Sequence, residues 1–261
     1  MTSKMGQALA ARPRVFGGWV VGPTLIGPES FAQTGYDYVG FDVQHGYLDD
    51  ADVALLLNRL EHVPIATAVR LPSPAPAPIG RVLDAGADAI IVAMVETAQQ
   101  AAEAVAATRF APRGTRSFGP LRASMGLDVG ALEARTSVYA MVETAAGVTA
   151  VDEICSVAGL SGIYVGPADL AISMGHGPTE AWTRPDVLTA MGRCVSSANA
   201  AGLVAGVHAG DGTLGRTAAN LGFRMITLAS EAQALRHGAA GQLSAAKAGA
   251  GETAQGTGGY P

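Results

Sequence analysis

Polar residues that could do chemistry arrive in this sequence at the ends of short apolar runs. In Tyr38-Val39-Gly40-Phe41-Asp42-Val43-Gln44-His45-Gly46 the apolar pattern breaks at Asp42, and Gln44, His45 and Gly46 follow together. Similar breaks put Trp19, Arg70, Glu96, Glu143, the turn Gly166-Pro167-Ala168-Asp169, and His208 at the ends of other runs. Carboxylates gathered at one place would suit a hard divalent ion such as Mg2+ or Mn2+, which prefers oxygen ligands and fills its shell with water. An imidazole with a resting pKa of about 6.5 could take and return a proton beside it. The run Ala93-Met94-Val95-Glu96-Thr97 recurs as Ala140-Met141-Val142-Glu143-Thr144. Glu143 has the better case as a metal ligand, because its strand precedes the one that carries Asp169 and adjacent strands lie about 4.8 Å apart. Glu96 is read instead as a carboxylate in the first turn of the following helix, where it favours the positive end of the helix dipole.

The elements that must position these residues alternate from one end to the other. Strands are expected near 14–20, 37–43, 65–70, 89–95, 138–143, 161–165, 203–207 and 224–229. Between them the pattern predicts helices over 52–60, 76–84, 98–108, 145–157, 185–200 and 213–221, with a last one near 230–237. The strands are short and apolar on both faces, as when helices cover one side and a packed interior the other. Eight strands in strict β–α alternation point to an α/β fold, a single-domain (β/α)8 TIM barrel over residues 1–240. A doubly wound open sheet is disfavoured, since no Gly-x-Gly-x-x-Gly follows the first strand and opens a helix. In such barrels chemistry sits at the C-terminal ends of the strands, where the polar residues above fall. The loop 110–125 is long for a connection and so is a functional candidate. Residues 241–261 drift into Gly, Ala and Thr and read as a C-terminal tail, disordered or laid over a neighbouring subunit.

Composition removes several classes. Of 261 residues, 49% are apolar and 15% charged, enough for one large core, and the net charge of −5 argues against nucleic acid or an anionic membrane as partner. No apolar run approaches the roughly 18 residues that span a bilayer, and Met1–Arg14 lacks the continuous apolar region of a secretory signal. Cys155 and Cys194 have no paired spacing and read as small buried residues in a reducing compartment. A soluble cytoplasmic protein is expected. The only lysines, Lys4 and Lys247, lie near the two ends, so a Schiff-base lysine inside the fold has no candidate.

Each candidate also has an ordinary reading. A strand-end histidine such as His45 usually makes a structural hydrogen bond; the co-placed Arg70, Glu143 and Asp169 favour catalysis. Arg70 lies in Ile65–Leu71, a run that would bury it, and a buried arginine wants an anion. Asp169 could serve as N-cap of a helix starting near Leu170. Asp84 closes a helix just before Gly86, where a polar residue needs no special cause. Trp19 is either a pocket wall or a buried strand residue, and Arg116 and Arg122 meet either an acidic substrate tail or another subunit. His176 falls in a loop, exposed or against an acceptor substrate. His62, His208 and His237 are read as structural.

Gln44-His45, Val69-Arg70, Pro112-Arg113-Gly114-Thr115-Arg116-Ser117-Phe118-Gly119, Val142-Glu143-Thr144 and Tyr164-Val165-Gly166-Pro167-Ala168-Asp169-Leu170, in that order, resemble the HpcH/HpaI aldolases, the metal-dependent (class II) pyruvate aldolases. The resemblance runs from about Gly17 to about Arg236. It implies that Glu143 and Asp169 are the protein's two ligands to a divalent ion (Mg2+ or Mn2+, with Co2+ or Zn2+ also used). The backbone around Gly166, Pro167 and Ala168 would receive the pyruvate carboxylate, and Arg70 would lie against the keto oxygen. His45, oriented by Asp84, would be the base, with Trp19 and Gln44 at the substrate. A homo-hexamer, a trimer of dimers exchanging their last helix, is also implied. The reaction implied is reversible aldol cleavage of a 4-hydroxy-2-oxo acid to pyruvate and an aldehyde. The chemistry agrees: a pyruvate enolate needs its charge stabilised by a lysine iminium or by a Lewis-acid metal, and the barrel has no lysine to offer.

Two positions depart from the family pattern. Many members carry Glu at Gln44, and many carry a polar residue at Met141. Loss of a negative charge at Gln44 would alter the orientation of water around the ion or the charge of substrate tolerated. Other readings stay open: an oxaloacetate decarboxylase using the same enolate; an acyl-CoA lyase, disfavoured because no basic cluster for CoA phosphates stands out; and an inactive metal-binding barrel serving as subunit or regulator.

Overall fold

Alternate residues along each strand face the barrel axis, and the side chains chosen for those positions explain how the sheet closes. In the computed structural model, which describes residues 3–248, the strands are β1 (Val15–Val20), β2 (Tyr38–Asp42), β3 (Ala66–Leu71), β4 (Ala89–Val92), β5 (Ser137–Val142), β6 (Gly162–Val165), β7 (Val204–His208) and β8 (Met225–Ser230). Each pairs in parallel with the next, and β8 returns to β1, giving a closed eight-stranded (β/α)8 barrel. The bulky inward residues sit on glycines of a neighbouring strand. A Cβ on Gly17 would lie 2.1 Å from the Tyr38 ring, one on Gly40 2.2 Å from Trp19, and one on Gly206 2.6 Å from Tyr164. The two tyrosine hydroxyls share a buried partner: Tyr38 Oη and Tyr164 Oη lie 2.7 and 2.6 Å from Thr227 Oγ1. Large against small fits the taper, and the polar tips are hydrogen-bonded, as burial demands.

The outer ring is α2 (Ile26–Gln33), α3 (Asp50–Arg59), α4 (Pro76–Asp84), α5 (Ala98–Ala106), α6 (Val129–Ala134), α7 (Ala145–Thr149), α8 (Val151–Cys155), α9 (Pro167–Ser173), α10 (Pro185–Ala200), α11 (Gly212–Leu221) and α12 (Glu231–Lys247). The helix expected over 145–157 is two, meeting at Ala150. An N-terminal helix, α1 (Lys4–Ala11), was not signalled by periodicity: only Met5 and Leu9 are buried, and they plug the barrel floor beside Val15 and Met225. Its cap Ser3 reaches the β5 start, with Oγ 2.8 Å from Ser137 Oγ. The last helix runs ten residues beyond the expected 237, to Lys247. The tail expected over 241–261 therefore begins inside a helix, and 249–261 lie outside the described residues. No residue of α12 is buried, and Leu235 and Leu243 are exposed. Cys155 and Cys194 are buried free thiols, pushed up to about 11 and about 12 by desolvation. Among the described residues no helix is long and apolar enough to cross a membrane.

The glycine seats carry a definite expectation. Gly40→Ala would drive its methyl into the Trp19 ring, which is held between strands. The variant should lose about 2 kcal/mol of stability, read as a lower urea midpoint with an unchanged slope.

Candidate active site

Asp42 ends β2 and Arg70 lies opposite it in register on β3. Both side chains point to the mouth and both are buried. Arg70 Nε donates to Asp42 Oδ1 at 3.0 Å, and Arg70 Nη2 makes a second, shorter bond to Asp42 Oδ2. Trp19 Nε1 also donates to Oδ2, at 3.1 Å, while the backbone N–H groups of Gln44 and His45 donate to Oδ1, each at 3.0 Å. Burial alone would raise the Asp42 pKa. The hydrogen bonds and charge of Arg70, the His45 N–H and the Trp19 indole outweigh it and hold the carboxyl below the ordinary aspartate value. One carboxylate thus fixes the guanidinium, the indole and the turn that presents His45. That turn is also tied to β1 by Tyr47 N–H donating to the Val21 carbonyl at 2.8 Å. Gly46 has φ of 121°, and a Cβ there would stand 2.5 Å from the Val21 oxygen, so the approach requires glycine.

Glu143 follows directly on β5 and is buried. Its Oε1 accepts the Met94 N–H at 2.8 Å. Met94 is the one non-glycine residue among those described with a positive φ, 56°. This left-handed turn explains why β4, expected to reach residue 95, stops at Val92: the chain bends to aim an N–H at the carboxylate. Desolvation raises the Glu143 pKa, the Met94 bond opposes it, and the negative charge of Asp169 raises it further. A Cβ on Gly166 would fall 2.5 Å from Glu143 Oε2, so only glycine lets the β6 end pass this carboxylate. Asp169 is exposed in the first turn of α9. It is not the N-cap: the helix starts at Pro167, and Gly166 holds the cap position.

Glu96 does not share this site. It precedes the α5 N-cap Thr97, two places before the first turn in which it was expected, and accepts the Thr144 hydroxyl at 2.7 Å. The repeated pentapeptide has a structural cause, because Thr97 and Thr144 cap the helices that follow, accepting N–H bonds from Gln100 and Gly147. Among the described residues no group of three or more His, Cys, Asp or Glu is arranged as a metal cage; the candidate centre is the carboxylate pair Glu143 and Asp169.

A cleft of about 680 Å3 opens at this mouth, lined by Trp19, Asp42, His45, Arg70, the Gly166–Asp169 turn and His208. Gln44 lies beside it with a buried Oε1 that has no hydrogen-bond partner. Asp84 is not brought to His45 within the chain. It accepts a hydrogen bond from Arg116 Nη2 at 2.8 Å and lines a separate cavity with Arg81, Thr115 and Ser117. The cause is the long loop, which folds back so that Leu121 N–H donates to the Asp84 carbonyl at 2.8 Å. Arg116 is buried, stacked on Phe110 with 4.7 Å to the ring centroid, and its Nε and Nη1 have no partner. Sequence reasoning gave Asp42 no role, although its inward parity with Tyr38 and Gly40 and its place one strand from a buried arginine pointed to it. It also passed over Pro178, Thr179 and Trp182, whose segment after α9 walls the cleft. His208, read as structural, lines the cleft with its ring edge-on to Trp19 at 5.2 Å.

A closed barrel that commits its C-terminal mouth to shielded charges is built as an enzyme. The kind of enzyme follows from comparison with known proteins. The HpcH/HpaI aldolase/citrate lyase family model matches residues 16–238, and the chain belongs to that family. It is 36% identical over 217 residues to a hydroxypyruvate/pyruvate aldolase of Rhizorhabdus wittichii, covering 82% of this chain and 86% of that one. It is 33% identical over 212 residues to a 5-keto-4-deoxy-D-glucarate aldolase of Klebsiella pneumoniae, covering 79% and 82%. The crystal structure of an HpcH/HpaI aldolase/citrate lyase family protein from Burkholderia cenocepacia superposes with a TM-score of 0.87 at 31% identity, covering 95% of this chain and all of that one. The protein is accordingly an aldolase-type lyase.

The Asp42 pair generates a stability prediction. Asp42→Ala leaves the Arg70 charge buried without its anion and should cost about 3 kcal/mol or more, measured by urea unfolding near neutral pH. Because the folded-state pKa of Asp42 is lowered, its contribution is complete above the unfolded value and fades as pH falls through the folded one. The gap between wild type and variant should therefore close on acidification.

Proposed function

We propose that the protein is a divalent-metal-dependent pyruvate aldolase, cleaving a 4-hydroxy-2-oxo acid reversibly to pyruvate and an aldehyde. The observation that carries this reading is the Asp42-held Arg70 at the same mouth as the Glu143–Asp169 pair. The two carboxylates fit a hard cation: one is buried, destabilised as an anion by burial and by its neighbour, and engaged by one N–H on a single oxygen. Glu143 and Asp169 would hold Mg2+ or Mn2+, and the ion would supply Lewis-acid stabilisation of the charge that develops on the keto oxygen.

The chain's own groups account for the remaining requirements. Arg70 is a fixed donor beside that oxygen, already oriented by Asp42, so no reorganisation is needed when charge appears. First-turn amides of a helix have no partner within the helix, so those of Ala168 and Asp169 are suited to the substrate carboxylate. His45, exposed at the cleft, takes the proton from the 4-hydroxyl. The C3–C4 bond then breaks, its electron pair forming the enolate, and the aldehyde departs. A proton returned to C3 gives pyruvate. Names borne by the relatives, hydroxypyruvate/pyruvate aldolase among them, support pyruvate as the shared product. A homo-oligomer, a hexamer in the resemblance, is supported by the uncovered α12 with Leu235 and Leu243 exposed.

Proton NMR of pyruvate in D2O tests the reading. With Mg2+ or Mn2+ the methyl protons should exchange without any aldehyde, and chelator should stop the exchange. His45→Ala and Arg70→Ala should each slow it about 100-fold or more. Absence of exchange with every divalent ion tried would sink the proposal. Glu143→Ala should lose metal binding by titration calorimetry while Glu96→Ala keeps it.

A further inference from the structure

The cleft has two ends of different chemistry. One end carries the charges already described. The other is built from the ends of β7 and β8 and the first turns of α11 and α12, and presents His208, Asp211, Ser230 and Gln233. In barrels this corner often binds phosphate on free helix N-termini. Here each N-terminus is capped by its own side chain. Asp211 Oδ1 accepts Leu214 N–H at 2.7 Å to cap α11, and Ser230 Oγ accepts Gln233 N–H at 3.2 Å to cap α12. Gln233 is held in turn, its Oε1 accepting from Ser230 N–H at 2.8 Å and its Nε2 donating to the Gly210 carbonyl at 3.3 Å. Among the described residues Arg70 is the only cation lining the cleft, and its Nε and Nη2 both donate to Asp42.

From this arrangement we infer that the far end is the aldehyde subsite and that it takes a small uncharged hydroxyaldehyde, with His208 as its specificity-determining residue. The inference rests on the pyruvate-aldolase reading above and names the second substrate's class. An aldehyde ending in carboxylate or phosphate would lose hydration there, find no guanidinium or ammonium to replace it, and face the Asp211 carboxylate. A hydroxyl suits the same groups, which can donate to it or accept from it without a change of charge. His208 stands between the two ends, its ring nearly perpendicular to Trp19. Desolvation, with help from the Arg70 charge, pushes its pKa down to about 4, so the imidazole is neutral near pH 7 and offers one donor and one acceptor.

The test uses the full chain with Mg2+ or Mn2+, pyruvate, and a panel of aldehydes followed as initial rates of addition. Glycolaldehyde and glyceraldehyde should show kcat/KM at least tenfold above glyoxylate, succinate semialdehyde and glyceraldehyde 3-phosphate. Equal or better use of the charged aldehydes, with pyruvate methyl exchange intact, overturns this inference and leaves the aldolase reading standing; loss of exchange itself overturns that reading. The role of His208 is read from a ratio measured on one sample, which does not depend on how much of it is folded. His208→Arg should shift the glycolaldehyde-to-glyoxylate ratio at least tenfold toward glyoxylate, and His208→Gln, neutral and hydrogen-bonding, should hold it within about threefold. An unmoved ratio in His208→Arg removes His208 from the specificity role.

Discussion

The structure of the mouth depends on keeping one ion pair out of water. Asp42 and Arg70 are paired across adjacent strands and buried, an arrangement whose desolvation cost is recovered only with near-complete hydrogen bonding. Asp42 meets that condition with donors from three directions: the guanidinium, the Trp19 indole and two backbone amides of the turn after β2. Because the same oxygens serve all of them, the cation, the pocket wall and the histidine turn cannot shift independently. The pair therefore fixes the geometry in which His45 and Arg70 line one cleft.

A second constraint comes from the opposite charge balance at Glu143. Its carboxylate is buried with less support, one amide from a left-handed Met94, and with the Gly166 backbone passing close against it. An unusual backbone conformation and a poorly neutralised acid thus stand side by side, each at a cost in free energy. Asp42 and Glu143 thus contrast: one anion is satisfied by donors from three sides, the other by a single amide.

Much of this was legible in the residues. Strand–helix alternation places all eight strands within a few positions, because buried parallel strands are apolar runs and the turns between them are polar. Arg70, Glu143 and Gly166–Asp169 were found at strand ends for the same reason. What escaped is what depends on three-dimensional parity and on chain reversal. Asp42 looked like one polar residue among three, whereas its inward register with Arg70 makes it the hub. β4 looked longer than it is, since nothing in Ala93-Met94-Val95 announces a left-handed turn. Asp84 was linked to His45 by resemblance; within the chain the long loop brings Arg116 to it, a contact separated by 32 residues that no local pattern encodes. Helix α1 has too few buried positions to show a period.

The aromatic-on-glycine packing inside the barrel reaches beyond stability. Tyr38, Trp19 and Tyr164 each occupy the space that a neighbouring strand leaves by having no side chain, and two of them share Thr227 at its centre. An interior made of such mated positions can change only by paired substitutions, in which one residue shrinks as its neighbour grows. Single substitutions are free to accumulate only above that layer, on the rim of loops and helix starts around the cleft. A lineage of such barrels would be expected to keep this aromatic interior nearly frozen while the lining of its cleft drifts.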